Sequence, residues 1–152
     1  MNKKFLVAAM TAVLGAGYTI SAFSQAKPDA QVRQRQSVMV LQGKYFGPLA
    51  LMAGGKIPYD ANVASRNAAF LDALGKMPWD NFTPDTQGEK TRAMPEIYKE
   101  SAKFKEAQER LSGDVSKLVS ATKGGNEASV KAAAADVGKA CANCHDNFRT
   151  KQ

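Results

Sequence analysis

The sequence predicts an all-α fold, an antiparallel up-down-up-down four-helix bundle. Three observations carry that prediction. Apolar residues recur in steps of three and four along four separate segments, the spacing of one helix face. The segments are joined by mostly short connections punctuated by Gly, Pro and Asx residues. No segment shows a convincing strand pattern. Seams of this kind pack with helices crossing at roughly 20°.

The chain has 152 residues, enough for one domain. Met1 to Ser24 reads as a secretory signal peptide. Lys3 and Lys4 form a positive start, Phe5 to Gly17 is apolar, and Ala22-Phe23-Ser24 offers small residues at a cleavage site. The apolar run is shorter than the roughly 20 residues of a membrane-spanning helix, so no anchor is expected after processing. Residues 25–152 would then form the mature domain, and loss of Lys3 and Lys4 takes the net charge from +7 to +5. That balance reads as a solvated surface, with a mild bias toward an acidic redox partner. There is no Lys/Arg-rich run, and nucleic-acid binding is not expected.

The first helix starts at Pro28, whose missing N–H costs nothing in a first turn. Its stripe is Val38, Leu41, Tyr45, Leu49 and Met52, with Val32, Met39, Phe46 and Ala53 one position to the side. Gly47-Pro48 predicts a kink rather than a stop, and Gly54-Gly55 ends the helix. Asp60 caps the second helix, which is expected to run to about Lys76 along Val63, Asn67, Phe70, Leu74 and Met77. Residues 78–94 form the longest irregular stretch, with Trp79 and Phe82 expected to fold inward. Pro95-Glu96 opens the third helix, with Ile97, Phe104, Leu111, Val115, Leu118 and Thr122 on one side and Lys123-Gly124-Gly125 at its end. Asn126 caps the fourth, whose inner face is Val130, Ala134, Val137, Cys141, Cys144 and Phe148.

That last face carries Cys141-Ala142-Asn143-Cys144-His145, the C-x-x-C-H signature of c-type haem attachment. Two thiols three residues apart on a helix reach the two vinyl groups on one porphyrin edge. The adjacent imidazole can then take the iron. A structural zinc site needs four Cys or His ligands, and the chain has two Cys and one His. A redox thiol pair is the remaining alternative, without the βαβ context it usually has. The expected cofactor is therefore one covalently attached haem c near the C-terminal helix. Attachment of haem c outside the bacterial cytoplasm agrees with export, and the expected location is the periplasm.

The motif stands on the last helix, after three amphipathic helices and a signal peptide. With Arg35-Gln36-Ser37, Pro58-Tyr59-Asp60, Pro78-Trp79 to Phe82, Pro95-Glu96-Ile97 and Cys141 to Arg149, the mature chain resembles the cytochrome c prime family of class II c-type cytochromes. The resemblance implies a five-coordinate haem with His145 as iron ligand and an apolar side chain, here Met39, crowding the empty sixth position. It also implies that Phe82 lies near the distal pocket, Arg149 beside the proximal His, and Arg35 and Gln36 near the haem propionates. Extra residues before Pro95 make the segment 86–92 harder to align, and within it the resemblance offers Glu89 as a propionate candidate.

Three functions follow. The first is binding of small diatomic gases, nitric oxide and carbon monoxide, at the open iron position, with electron exchange with a redox protein. The alternative is a six-coordinate haem with Met39 as sixth ligand, acting purely in electron transfer. An enzyme is not expected, because the one His is committed to the iron and no distal acid–base His remains, leaving at most a weak peroxidase side-activity. The resemblance further implies a homodimer joined through the first two helices, with Val40 and Met52 as candidate contact residues.

Overall fold

The computed structural model describes residues 26–151. The signal-peptide segment, Met1 to Ser24, lies outside the described residues. Five α-helices follow one another: α1 (Pro28–Ala53), α2 (Ala61–Leu74), α3 (Glu96–Lys99), α4 (Ser101–Gly124) and α5 (Glu127–Phe148). The four long ones form a ring in which α1 packs on α2, α2 on α4, α4 on α5 and α5 on α1. Neighbours in sequence are neighbours in space, the arrangement of an up-and-down bundle. Among the described residues no helix is long and apolar enough to cross a membrane.

The helix ends follow local chemistry. The Asp60 carboxylate accepts from the Asn62 and Val63 amides, both at 2.9 Å, and the Asn126 side chain accepts from the Ser129 amide at 2.9 Å. These caps satisfy donors that the first helical turn leaves without partners. Gly125 follows α4 at φ +70°, a left-handed conformation that favours glycine. α1 runs through Pro48 without stopping.

Three expectations need correction. The third helix is not continuous. Non-helical backbone at Glu100 (φ −113°, ψ 45°) separates the short α3 from α4. The break lets Tyr98 reach the Thr86 hydroxyl at 2.7 Å while Ile97 stays buried. The second helix ends at Leu74, and its buried face is turned by one position. Ala64, Ala68 and Leu71 point inward with Asn67 and Leu74, whereas Phe70 and Met77 are exposed. Two alanines without exposed surface permit close approach of α2 to the bundle, and the larger Phe70 instead stacks on Tyr45 with ring centres 4.5 Å apart. On α1, Leu41 is exposed and Met52 is buried, so Met52 is core rather than a contact residue. Its sulfur lies 3.3 Å from the Asp60 amide, which ties it to the α1–α2 turn.

Two packed regions result. One joins Leu49 and Met52 of α1, Ala64, Ala68 and Leu71 of α2, Val115 and Leu118 of α4, and Val130, Ala134 and Val137 of α5. The other joins Ile97, Phe104, Ala107 and Phe148, flanked by Trp79, Phe82, Ala93, Tyr98 and Cys144. They lie at opposite ends of the bundle, because α4 and α5 each contribute one half to each.

Candidate functional site

Between these regions lies a cavity of about 540 Å³. One wall is α5. Cys141, Cys144 and His145 stand at i, i+3 and i+4, so the helical period puts them on one face. All three are half-buried and line the cavity. The thiols are not bonded to each other. Burial pushes the Cys141 thiol above its ordinary pKa, and the neighbouring Cys144 adds to that. Burial likewise raises Cys144, with Arg149 working against it. His145 is held below its ordinary value, first by burial and then by the positive charge of Arg149. Its neutral imidazole, the form that binds metals, is therefore favoured.

The facing wall is α1. Arg35, Gln36, Met39 and Phe46 line it at helical spacing. Phe46 approaches α5 at Gly138, where a side-chain Cβ would sit 3.1 Å from its ring. Residues 75–95 close the remaining side. Trp79 donates its indole N–H to the Gly75 carbonyl at 2.6 Å. Its ring joins Phe82, Phe104 and Phe148 in a run of aromatic contacts with centres 5.1 to 6.1 Å apart. The last residues are strapped to this crossover. The Met94 amide donates to the Phe148 carbonyl at 3.0 Å, and the Thr150 amide donates to the Arg92 carbonyl at 2.9 Å. The Arg92 guanidinium donates to the Thr150 carbonyl at 2.8 Å. This strap holds Arg92 and Arg149 beside His145.

Arg35 is buried, although it is charged. It donates to the Asn81 carbonyl at 2.7 Å and the Thr86 hydroxyl at 2.8 Å, and lies 4.4 Å from the centre of the Phe82 ring. One turn earlier, Gln31 is buried too, and its side-chain carbonyl accepts from Thr83 at 2.6 Å. These two α1 side chains clasp the crossover.

The structure thus brings Cys141, Cys144, His145, Arg35, Met39 and Phe82 to one cavity, with Gln36 and Arg149 at its exposed rim. Glu89 does not line it. The turn Pro84–Gly88 directs Thr86 inward instead, and Glu89 follows on extended backbone. Thr91 and Arg92 also line the cavity and were not anticipated, because a crossover has no periodicity to mark its inward residues.

The residues fit a haem. The volume lies within the roughly 300–1,000 Å³ of cofactor pockets. The walls are mainly apolar, with two thiols and an imidazole on one of them. Among the described residues no carboxylate lines the cavity, whereas Arg35, Arg92 and Arg149 do, which suits a flat apolar group carrying acidic side arms. Among the described residues no three His, Cys, Asp or Glu side chains gather as a metal cage.

Comparison with known proteins agrees. The sequence model of the family described as Cytochrome C' matches residues 30–149. Cytochrome c' of Rubrivivax gelatinosus is 41% identical over 126 residues, covering 82% of this chain and 98% of the relative. Its crystal structure superposes with a TM-score of 0.78 over the same shares of the two chains. Cytochrome c' of Alcaligenes xylosoxydans xylosoxydans is 37% identical over 127 residues, covering 84% and 98%. A solved nitric oxide complex of a variant of cytochrome c prime from Alcaligenes xylosoxidans is 37% identical, with a TM-score of 0.76 over 83% and 98%. The match spans all four long helices and the C-x-x-C-H segment, and the chain belongs to the cytochrome c' family, whose members bind covalently attached haem c.

Proposed function

We propose that this chain is a periplasmic gas-binding cytochrome whose haem iron is five-coordinate and also exchanges electrons with a redox protein. The single observation that carries the reading is the cavity itself, with the C-x-x-C-H face on one wall and Met39 among the residues facing it. Haem iron supplies one open coordination position for a neutral diatomic ligand and a one-electron couple. Cys141 and Cys144 anchor the group by thioethers, and His145 offers a neutral ring nitrogen from the same helix face. Met39 and Phe82 present apolar surface on the distal side, which excludes water and admits small neutral ligands such as nitric oxide and carbon monoxide. Arg149 places a positive charge beside His145. Arg35, with Gln36 at the rim, would hold the haem carboxylates. The nitric oxide complex of the Alcaligenes relative supports the same ligand class here. The signal-peptide pattern of Met1 to Ser24 supports export.

The assembly proposed is a homodimer through α1 and α2. Among the described residues the exposed large apolar side chains Val40, Leu41, Leu51, Ile57, Phe70 and Met77 fall on these two helices and the segments that follow them. Such grouping marks interaction surfaces.

Rapid mixing of the reduced protein with nitric oxide tests the function. The expected result is a new absorption spectrum. An unchanged spectrum would overturn gas binding and leave electron transfer, with Met39 as a second iron ligand.

A further inference from the structure

Arg35 is a guanidinium with 2% exposure and, among the described residues, no carboxylate in contact. Every acceptor the protein gives it is uncharged: the Asn81 carbonyl, the Thr86 hydroxyl and, at 3.4 Å, the Thr91 hydroxyl. A buried charge held only by dipoles needs a charged partner from elsewhere. The cavity that Arg35 lines is the place from which one can come.

Thr86 has no exposed surface, and its hydroxyl has three partners: Arg35 at 2.8 Å, the Thr83 carbonyl at 2.7 Å and the Tyr98 hydroxyl at 2.7 Å. A hydroxyl donates once and accepts twice. Arg35 only donates, so Thr86 accepts from it. The Thr83 carbonyl only accepts, so Thr86 spends its single proton there. Tyr98 must therefore donate to Thr86. All three capacities of the hydroxyl are used, and no rotation of it preserves them all. The Phe82 ring, 4.4 Å from the guanidinium carbon, fixes the remaining face of the fork.

We infer that Thr86 and Tyr98 are positioning residues that hold Arg35 as a fixed cation against the haem, and that through it they raise the reduction potential. The inference rests on the proposed haem attachment. A fixed positive charge in a low-dielectric site favours the reduced form, which carries one positive charge fewer. Loosening the cradle lets the guanidinium move toward solvent and lowers the potential. This also gives the break at Glu100 a purpose, because it is what brings Tyr98 to Thr86.

The test uses haem-loaded protein. Thr86→Val, Thr86→Ser and Tyr98→Phe are made, haem attachment is checked by mass and absorption, and the midpoint potential is measured by titration with redox mediators. Stability is measured in parallel by denaturant. The expected result is a lower potential in Thr86→Val, a smaller fall in Tyr98→Phe, and the wild-type value in Thr86→Ser, which keeps the hydroxyl. Loaded Thr86→Val and Tyr98→Phe proteins at the wild-type potential, whatever their stability, would overturn the inference. Should Thr86→Val not fold, Tyr98→Phe decides it alone. A wild-type chain without attached haem would instead overturn the reading on which the inference rests, and it would be seen before any titration.

Discussion

At one end of the bundle Leu49, Leu118 and Val130 pack against Ala64 and Ala68 with almost no surface left exposed. At the other, Phe104 and Phe148 stand beside a hollow, and the crossover that closes it is held by buried Gln31, Arg35 and Thr86. The first end is filled by side chains that need nothing but each other. The second forgoes those contacts, since atoms facing a void lose their dispersion partners. It also buries polar groups that must be matched one by one. The same four helices therefore do two jobs along their length. One half makes the fold, and the other is shaped around something the chain does not itself provide.

Removing what fills the hollow should separate the two ends most sharply. Replacing Cys141 and Cys144 with alanine should abolish covalent haem completely, as read by mass and absorption. Hydrogen exchange should then lose protection in residues 79–95 and 141–148 and keep it around 118–134. Equal loss at both ends would show that the halves are not separable. The converse variant is Leu118→Ala. Leu118 is wholly buried in the filled end, so the change should cost about 2–5 kcal/mol. Denaturant unfolding checks that, while the haem spectrum stays as in wild type. A smaller effect is expected at the caps. Asp60→Ala removes an acceptor for two amides and should cost about 1 kcal/mol with no spectral change. The subtlest is a titration. Burial raises the Cys141 pKa, so the folded chain disfavours its thiolate. In folded haem-free protein the pH midpoint for alkylation of Cys141 should lie above that in urea. A midpoint at or below the unfolded value would mean that this wall is open to water.

The sequence exposes the filled half more readily than the hollow one. Val115, Leu118, Val130, Ala134 and Val137 are read from period alone, because a core-facing stripe is what the period records. The face of α2 is misread by one position. Phe70 and Met77 are the larger apolar residues, yet Ala64 and Ala68 are the ones that fit between close helices. The C-x-x-C-H motif is legible because its chemistry demands fixed spacing, and Asp60 and Asn126 because capping does. The crossover is not legible. Thr86 and Tyr98 matter through contacts spanning 12 to 51 residues, and no local pattern marks a threonine that will accept from a buried arginine. The resemblance offers Glu89 as a propionate contact, but the turn at Pro84–Gly88 presents Thr86 inward.

The coordination state of the haem iron decides between an open gas site and a closed electron-transfer site. The absorption and EPR spectra of the purified protein, oxidised and reduced, test it most directly. A high-spin ferric signal with a broad reduced band is the predicted result, with Met39 as a lid over an open position. A low-spin signal with sharp reduced bands would contradict it, making Met39 or another group a sixth ligand and the cavity a closed electron-transfer site.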